Sequence, residues 1–113
     1  MSENTAGLSV EVTQTPDGPV ISAAGDLDLS TADHLEAAVT PFIKDPVNAS
    51  AGTLTVDLAK IDFCDSAGIN ALVKLRQLGH EAGWTLTVVN PQPHVRHVLE
   101  LSGLTKFLAV PPE

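Results

Sequence analysis

Residues 53–89 read TLTVDLAKIDFCDSAGINALVKLRQLGHEAGWTLTVV, and their periodicity decides the fold. Thr53 to Leu58 alternates like a short strand, Ala67 to Ala82 carries a helical repeat, and Trp84 to Val89 alternates again. Strand, helix and strand joined this closely imply parallel pairing through a right-handed crossover. Between the first strand and the helix lies Ile61-Asp62-Phe63-Cys64-Asp65-Ser66-Ala67-Gly68-Ile69, an acidic turn running straight into the helical pattern. Ser66 falls where the helix begins, so its hydroxyl is expected in solvent on a rigid mount with carboxylates beside it. Such a serine suits a cap, and it equally suits a phosphate acceptor.

A helix wheel sharpens the segment. At about 100° per residue, Gly68, Ala71, Leu72, Leu75, Leu78, Gly79 and Ala82 form one stripe, wide enough to be the sheet-facing side. Ile69 and Val73 fall outside it, in line with Ser66, with Asn70, Arg76 and Gln77 near by and His80 beyond. Either another helix or loop covers them, or they form a docking strip behind an exposed serine; the expectation taken forward is the strip. A phosphate on Ser66 would meet free backbone N–H groups at the helix N-terminus. Against a partner it would add about −1.5 to −2 charges beside Asp62 and Asp65. The fold is expected to tolerate that change and a partner interface is not.

Upstream, Leu8 to Thr13 and Val20 to Gly25 flank Pro16-Asp17-Gly18-Pro19, which is a hairpin signal. Leu35, Ala38, Val39, Phe42 and Ile43 mark a helix that Ser30 and Asp33 are placed to open as a capping box. Pro41 is expected to kink or break its last turn, and Pro46 to Gly52 reads as loop. Asp26 and Asp28 lie between the second strand and this helix. Asp28 can help start the helix with Asp26 merely solvated, or the pair can form an acidic rim toward a basic partner; spacing leaves both open. Downstream, Pro91 and Pro93 precede a helix with Val95, Val98 and Leu99 on one face. Gly103 is placed as its left-handed C-terminal residue, with Leu104 packing back on Leu99. Phe107 to Val110 reads as a last edge strand. The expected architecture is one α/β domain over residues 1–113, ordered from about 8 to 110. It is a mixed sheet of four to five strands in the order β-β-α-β-α-β-α-β, with helices packed on it.

Composition narrows the function. With 43% hydrophobic residues the chain is globular, and a formal charge of −8 argues against nucleic acid and anionic membrane as direct partners. No apolar run approaches a membrane span, Met1 to Gly7 is no signal peptide, and a single cysteine excludes an internal disulfide. A cytoplasmic location is the expectation.

Three segments in order carry a resemblance: Gly25-Asp26-Leu27-Asp28 with Thr31-Ala32, Asp57-Leu58 through Phe63-Cys64-Asp65-Ser66-Ala67-Gly68, and Leu99-Glu100-Leu101-Ser102-Gly103-Leu104. Together they resemble the STAS domain, specifically the bacterial anti-sigma factor antagonists, over nearly the whole chain. The resemblance implies a partner-switching regulator of transcription. The unmodified antagonist binds an anti-sigma factor that is also a Ser/Thr protein kinase, and so frees a sigma factor. The kinase phosphorylates Ser66, the complex falls apart, and a PP2C-type phosphatase restores it. Asp28 matches the family's loop carboxylate near that serine. Cys64 departs from the usual apolar residue, and the end at Glu113 falls short of the extra C-terminal helix of some members. The helix wheel, the acidic loops and the resemblance together give the expected partner-binding residues as Asp26, Asp28, Asp65, Ser66, Ile69, Asn70, Val73, Arg76 and Gln77; no cofactor or metal is expected.

Two other readings compete. As an enzyme, Ser66 would need a base from His34, His80, His94 or His97, but the surroundings lack a Gly-x-Ser-x-Gly elbow and His80 lies turns away. His94 and His97 alone make a weak metal site. A STAS scaffold or nucleotide-binding module in a sensory complex is the second alternative, though no phosphate-cradling glycine loop is present. Cys64 as a redox sensor requires an exposed thiol in an electropositive setting, whereas its neighbours are acidic.

Overall fold

Alternation along each strand builds the sheet, and a computed structural model describes residues 2–5, 7–45 and 52–111 of it. β1 (Ser2–Thr5), β2 (Leu8–Thr15) and β3 (Gly18–Leu27) are antiparallel; β4 (Gly52–Cys64) and β5 (Trp84–Val89) continue the sheet in parallel with β3. The sheet order is β1-β2-β3-β4-β5. Helices α1 (Ala32–Lys44) and α2 (Ser66–Glu81) make the two crossovers, and α3 (Pro93–Leu101) follows β5. Val10, Ile21, Ala23, Leu54, Val56, Leu58, Leu86 and Val88 face the core, while Ser9, Glu11, Ser22 and Thr55 point the other way. Among the described residues that apolar-in, polar-out pattern leaves the polar sheet face uncovered. Full burial of each large aliphatic side chain contributes about 1.5–3 kcal/mol, so the core stripes of α1 and α2 commit those helices to the apolar face.

Several expectations hold. Thr15 pairs with Gly18 across a two-residue turn. Trp84 is buried at the head of the edge strand, its ring centroid 6.1 Å from that of Phe42 on α1. At the end of α3, Gly103 N–H donates to Glu100 O at 3.0 Å and Leu104 N–H to Leu99 O at 3.2 Å, with Gly103 at φ +71°. This is the double bond pattern of a Schellman end.

Others are corrected. The polar N-terminus is not outside the fold: Ser2–Thr5 forms an edge strand on β2. The central strand does not stop at Leu58 but runs 13 residues to Cys64. Its pairing with β3 shifts register between Ser22 and Ala24 and again between Gly25 and Asp26. These irregularities space Leu58, Ile61 and Cys64 three apart, which breaks the period of two and reads in sequence as a turn. Phe107 to Val110 is no strand. Leu108 N–H turns back to Leu104 O and Val110 N–H to Thr105 O, and Leu108 reaches β5 through its carbonyl, which accepts from Val88 N–H at 3.0 Å. The eighth element of the expected order is therefore a turn segment with Leu108 as a buried plug. α1 continues through Pro41 to Lys44, since a proline in the last turn removes one bond near an end that frays anyway. Of the expected loop at Pro46–Gly52, Gly52 belongs to β4 and the rest lies outside the described residues.

Candidate functional site

The parallel strands β3 and β4 end side by side, with Leu27 opposite Cys64 and Asp26 opposite Phe63. Each then turns into a helix, so the loops carrying Asp28 and Ser66 emerge together. Asp65 N–H donates to Leu27 O at 3.2 Å, which ties one loop to the other. Gly68, in the first turn of α2, sits against the same point. A Cβ there would collide with Leu27 O, lie 2.8 Å from Leu27 Cγ and 3.0 Å from Cys64 Sγ. The glycine of the Asp-Ser-x-Gly segment is thus needed for close approach of helix and strand.

Asp65, not Ser66, caps α2. Its Oδ1 accepts from Ala67 N–H at 2.9 Å and Gly68 N–H at 3.1 Å, leaving Ser66 as the first helical residue with its side chain exposed. Two N–H groups expected to greet a phosphate are therefore already engaged. A phosphate on Ser66 would retain only the general field of the helix start, and exposure is what lets the fold carry it.

The opposing loop is held differently. The expected Ser30–Asp33 capping box does not form, because Thr31 takes the N-cap position, without a side-chain cap bond. Asp28 Oδ1 instead accepts from Ser30 N–H at 2.9 Å and Ser30 Oγ at 2.7 Å. The Ser30 hydroxyl, with the further donors in this turn, holds the Asp28 carboxyl below its ordinary value. Thr31, 1% exposed, donates its hydroxyl to Asp26 O at 2.7 Å and accepts from Asp28 N–H at 3.0 Å. This buried threonine fixes the loop from inside, a role its place before a helix left unread.

The structure thus brings Asp26, Asp28, Asp65 and Ser66 to one end of the sheet. Asn70 is exposed one turn along α2. Arg76 and Gln77 lie ten or more residues beyond Ser66, about 15 Å at the helical rise. The Arg76 guanidinium stacks 4.3 Å from the Phe107 ring centroid. The docking strip is corrected: Ile69 is 4% exposed and belongs to the core, and Val73 packs against it. A wheel drawn against the sheet omits α1, which lies along α2 and is joined to it by Glu36 and Lys74 at 3.6 Å. The exposed apolar side chains at this end are instead Leu29, at 81%, and Phe63, at 49%. Leu29 was discoverable as the one large apolar residue between Asp28 and Ser30; Phe63 required knowing that the strand continues.

Burial and then the charge of Asp65 push the Cys64 thiol up to about 11, and its Sγ–H is directed at Asp65 O at 3.6 Å. A protonated, buried thiol is a poor nucleophile, contrary to what a sensor requires. Among the histidines, the His94 ring bonds the carbonyl oxygen of Asp62 through Nε2, and Gln92 Nε2 donates to Ala59 O at 3.1 Å and Asp62 Oδ1 at 3.2 Å. These contacts clasp the start of α3 onto β4. Among the described residues no cluster of three or more metal-ligating side chains occurs, and no helix is long and apolar enough to cross a membrane.

Residues 10–110 match a family model described as Mlab, STAS domain. Over 90 residues the chain is 30% identical to an anti-sigma F factor antagonist of Lysinibacillus sphaericus, spanning 79% of this chain and 74% of that protein. A crystal structure of an anti-sigma factor antagonist from Mycobacterium paratuberculosis aligns with a TM-score of 0.77 at 29% identity, over 94% of this chain and 86% of the other. The anti-sigma factor antagonist SpoIIAA in its unphosphorylated form aligns with a TM-score of 0.67 at 26% identity, over 92% of this chain and 89% of its own.

Proposed function

The chain belongs to the STAS-domain family, and from that premise we propose that it is an anti-sigma factor antagonist switched by phosphorylation of Ser66. In the unmodified form it binds an anti-sigma factor that is also a Ser/Thr kinase, and a sigma factor is released. The kinase then transfers a phosphoryl group to the Ser66 hydroxyl, the complex dissociates, and a PP2C-type phosphatase resets the cycle in the cytoplasm. The observation that carries this reading is the setting of Ser66. Its hydroxyl is exposed on the first residue of a capped helix, tied through Asp65 to the loop that bears Asp26 and Asp28.

Bulk and the desolvation cost of added charge give the switch its direction. No Lys or Arg occurs from residue 21 to 43 or from 61 to 73, so a phosphate here has no cation nearby in sequence to pair with. It adds about −1.5 to −2 charges to a surface already acidic. The helix itself loses little, because Ser66 is exposed and Asp65 keeps its cap. The partner meets a bulky dianion at the centre of the contact, where desolvation is costly. Asp26, Asp28, Asp65, Ser66 and Asn70 form the contact in this proposal; Val73, Arg76 and Gln77 lie at its far margin, and Ile69 leaves it.

Titration against the anti-sigma kinases of the source cell tests the reading. Ser66→Glu should keep the native circular dichroism spectrum and lose binding; Ser66→Ala should bind and take up no phosphate. Native-like affinity of Ser66→Glu, or phosphate incorporated into Ser66→Ala, sinks it.

A further inference from the structure

Four large hydrophobic side chains stand out from the described surface: Leu29, Phe63, Leu101 and Phe107. The last two lie away from Ser66, Leu101 at the end of α3 and Phe107 beneath the Arg76 guanidinium. The first two do not. Leu29 is two residues beyond Leu27 and Phe63 one before Cys64, and Leu27 and Cys64 are direct neighbours in the sheet. Ser66, two residues after Cys64, shares that end.

We infer that Leu29 and Phe63 are the apolar anchors of the partner interface, and that the partner offers them apolar pockets rimmed by Lys and Arg. This rests on the antagonist reading above and supplies the chemistry of its partner.

Exposure of a single leucine is ordinary; the setting of this one is not. The Asp28–Ser30 bonds and the buried Thr31 hydroxyl hold the loop on both sides of Leu29. The side chain is therefore presented on an ordered backbone, and docking it forfeits little further entropy. Phe63 is held likewise, at the end of a strand whose partner residue is Asp26. Around the two anchors lie Asp26, Asp28, Asp62 and Asp65, with no Lys or Arg in either segment. A second copy of this chain would bring the same carboxylates face to face, and an anionic lipid surface would be repelled in the same way. A protein surface with a basic rim fits on both counts: its cations meet the carboxylates while its pockets take the anchors. Against a basic rim a phosphate at Ser66 acts by its bulk and its desolvation cost, holding the pockets off the anchors, and not by charge repulsion.

Leu29→Ala, Phe63→Ala, the double variant and Ser66→Glu are titrated by biolayer interferometry, at low and high salt, against each purified anti-sigma kinase encoded in the source genome. Each alanine variant should weaken binding about tenfold and the pair about a hundredfold. The association rate should fall steeply with salt for the native chain. Leu29 is 81% exposed, so Leu29→Ala should leave the melting temperature unchanged, which separates a loss of binding from a folding defect. Alanine variants within twofold of native affinity, while Ser66→Glu fails to bind, overturn the anchors and leave the switch standing. Salt-independent association overturns the basic rim. A native dimer in sedimentation that Leu29→Ala dissolves assigns the surface to a second copy and overturns the inference. No binding of the native chain to any such kinase overturns both this inference and the function on which it rests.

Discussion

Helices α1 and α2 begin side by side at one end of the sheet, each after an aspartate, yet the two starts are built for opposite purposes. At α2 the carboxylate turns inward, Asp65 bonding the N–H groups of Ala67 and Gly68, and the next apolar residue, Ile69, enters the core. At α1 the carboxylate serves the loop, Asp28 bonding Ser30, and the apolar residue beside it, Leu29, points to solvent. One start fixes a serine rigidly; the other holds a hydrophobic side chain out. The same residue type does different work because Asp65 is the N-cap of its helix, whereas Asp28 lies three residues before the N-cap Thr31.

The largest expected effect contrasts the two apolar residues. Ile69→Glu places a charge in the core and should cost about 3 kcal/mol or more, whereas Leu29→Glu should stay within about 0.5 kcal/mol of native. Urea unfolding at neutral pH measures both, and similar losses would abolish the contrast. Next is Gly68→Ala, where the added methyl meets Leu27 and Cys64 and should cost about 1–3 kcal/mol as overpacking. An unchanged urea midpoint would mean that strand and helix are not locked at this point.

Smaller again is the difference between the two carboxylates, Asp65 as a cap and Asp28 within its loop. Asp65→Ala removes a true N-cap and should cost about 1 kcal/mol; Asp28→Ala should cost less and loosen the loop, read as faster amide exchange at Leu29 and Ser30. Because the Asp28 carboxyl sits below its ordinary 3.8 in the fold, its contribution is complete above that pH and disappears as pH falls through the folded value. The deficit of Asp28→Ala should therefore vanish in strong acid. A larger loss for Asp28→Ala than for Asp65→Ala at neutral pH would reverse the assignment of roles.

The smallest effect at neutral pH belongs to Cys64. Its thiol is raised from 9.0 to about 11, so the unfolded chain loses that proton first as pH rises. Its contribution to stability is complete below pH 9 and lost progressively toward 11. Cys64→Ala should flatten that part of the stability curve. Labelling of native Cys64 by a thiol reagent at pH 8 should be far slower than labelling of the unfolded chain; equal rates would show an open thiol behind Ser66.

How much of this was legible follows from period and partner. Runs with a clean period, such as Trp84–Val89 and the core stripe of α2, read correctly because each repeat matches one buried face. The helix end at Gly103 was equally readable, since its bonds span only a few residues. The tract Ala59–Cys64 was not, because a strand with shifted register loses the period that identifies it. Ser30 looked like a cap by spacing, but Thr31 finds Asp26 O and makes the buried contacts instead. Ile69 and Val73 were placed outside because a wheel has one axis and one assumed neighbour, whereas α2 has two, the sheet and α1.

The sequence by itself determined that strand, helix and strand pair in parallel, and that Ser66 opens a helix behind an acidic turn. Local periodicity and short-range hydrogen bonding suffice for both. It also determined that residues 61–73, which carry Ser66, hold no Lys or Arg, which is a matter of counting. Only the tertiary structure decided which apolar residues near Ser66 are exposed. Burial is set by what packs across from a side chain, and here α1 and the neighbouring strand, distant in sequence, take Ile69 inward and leave Leu29 and Phe63 outside.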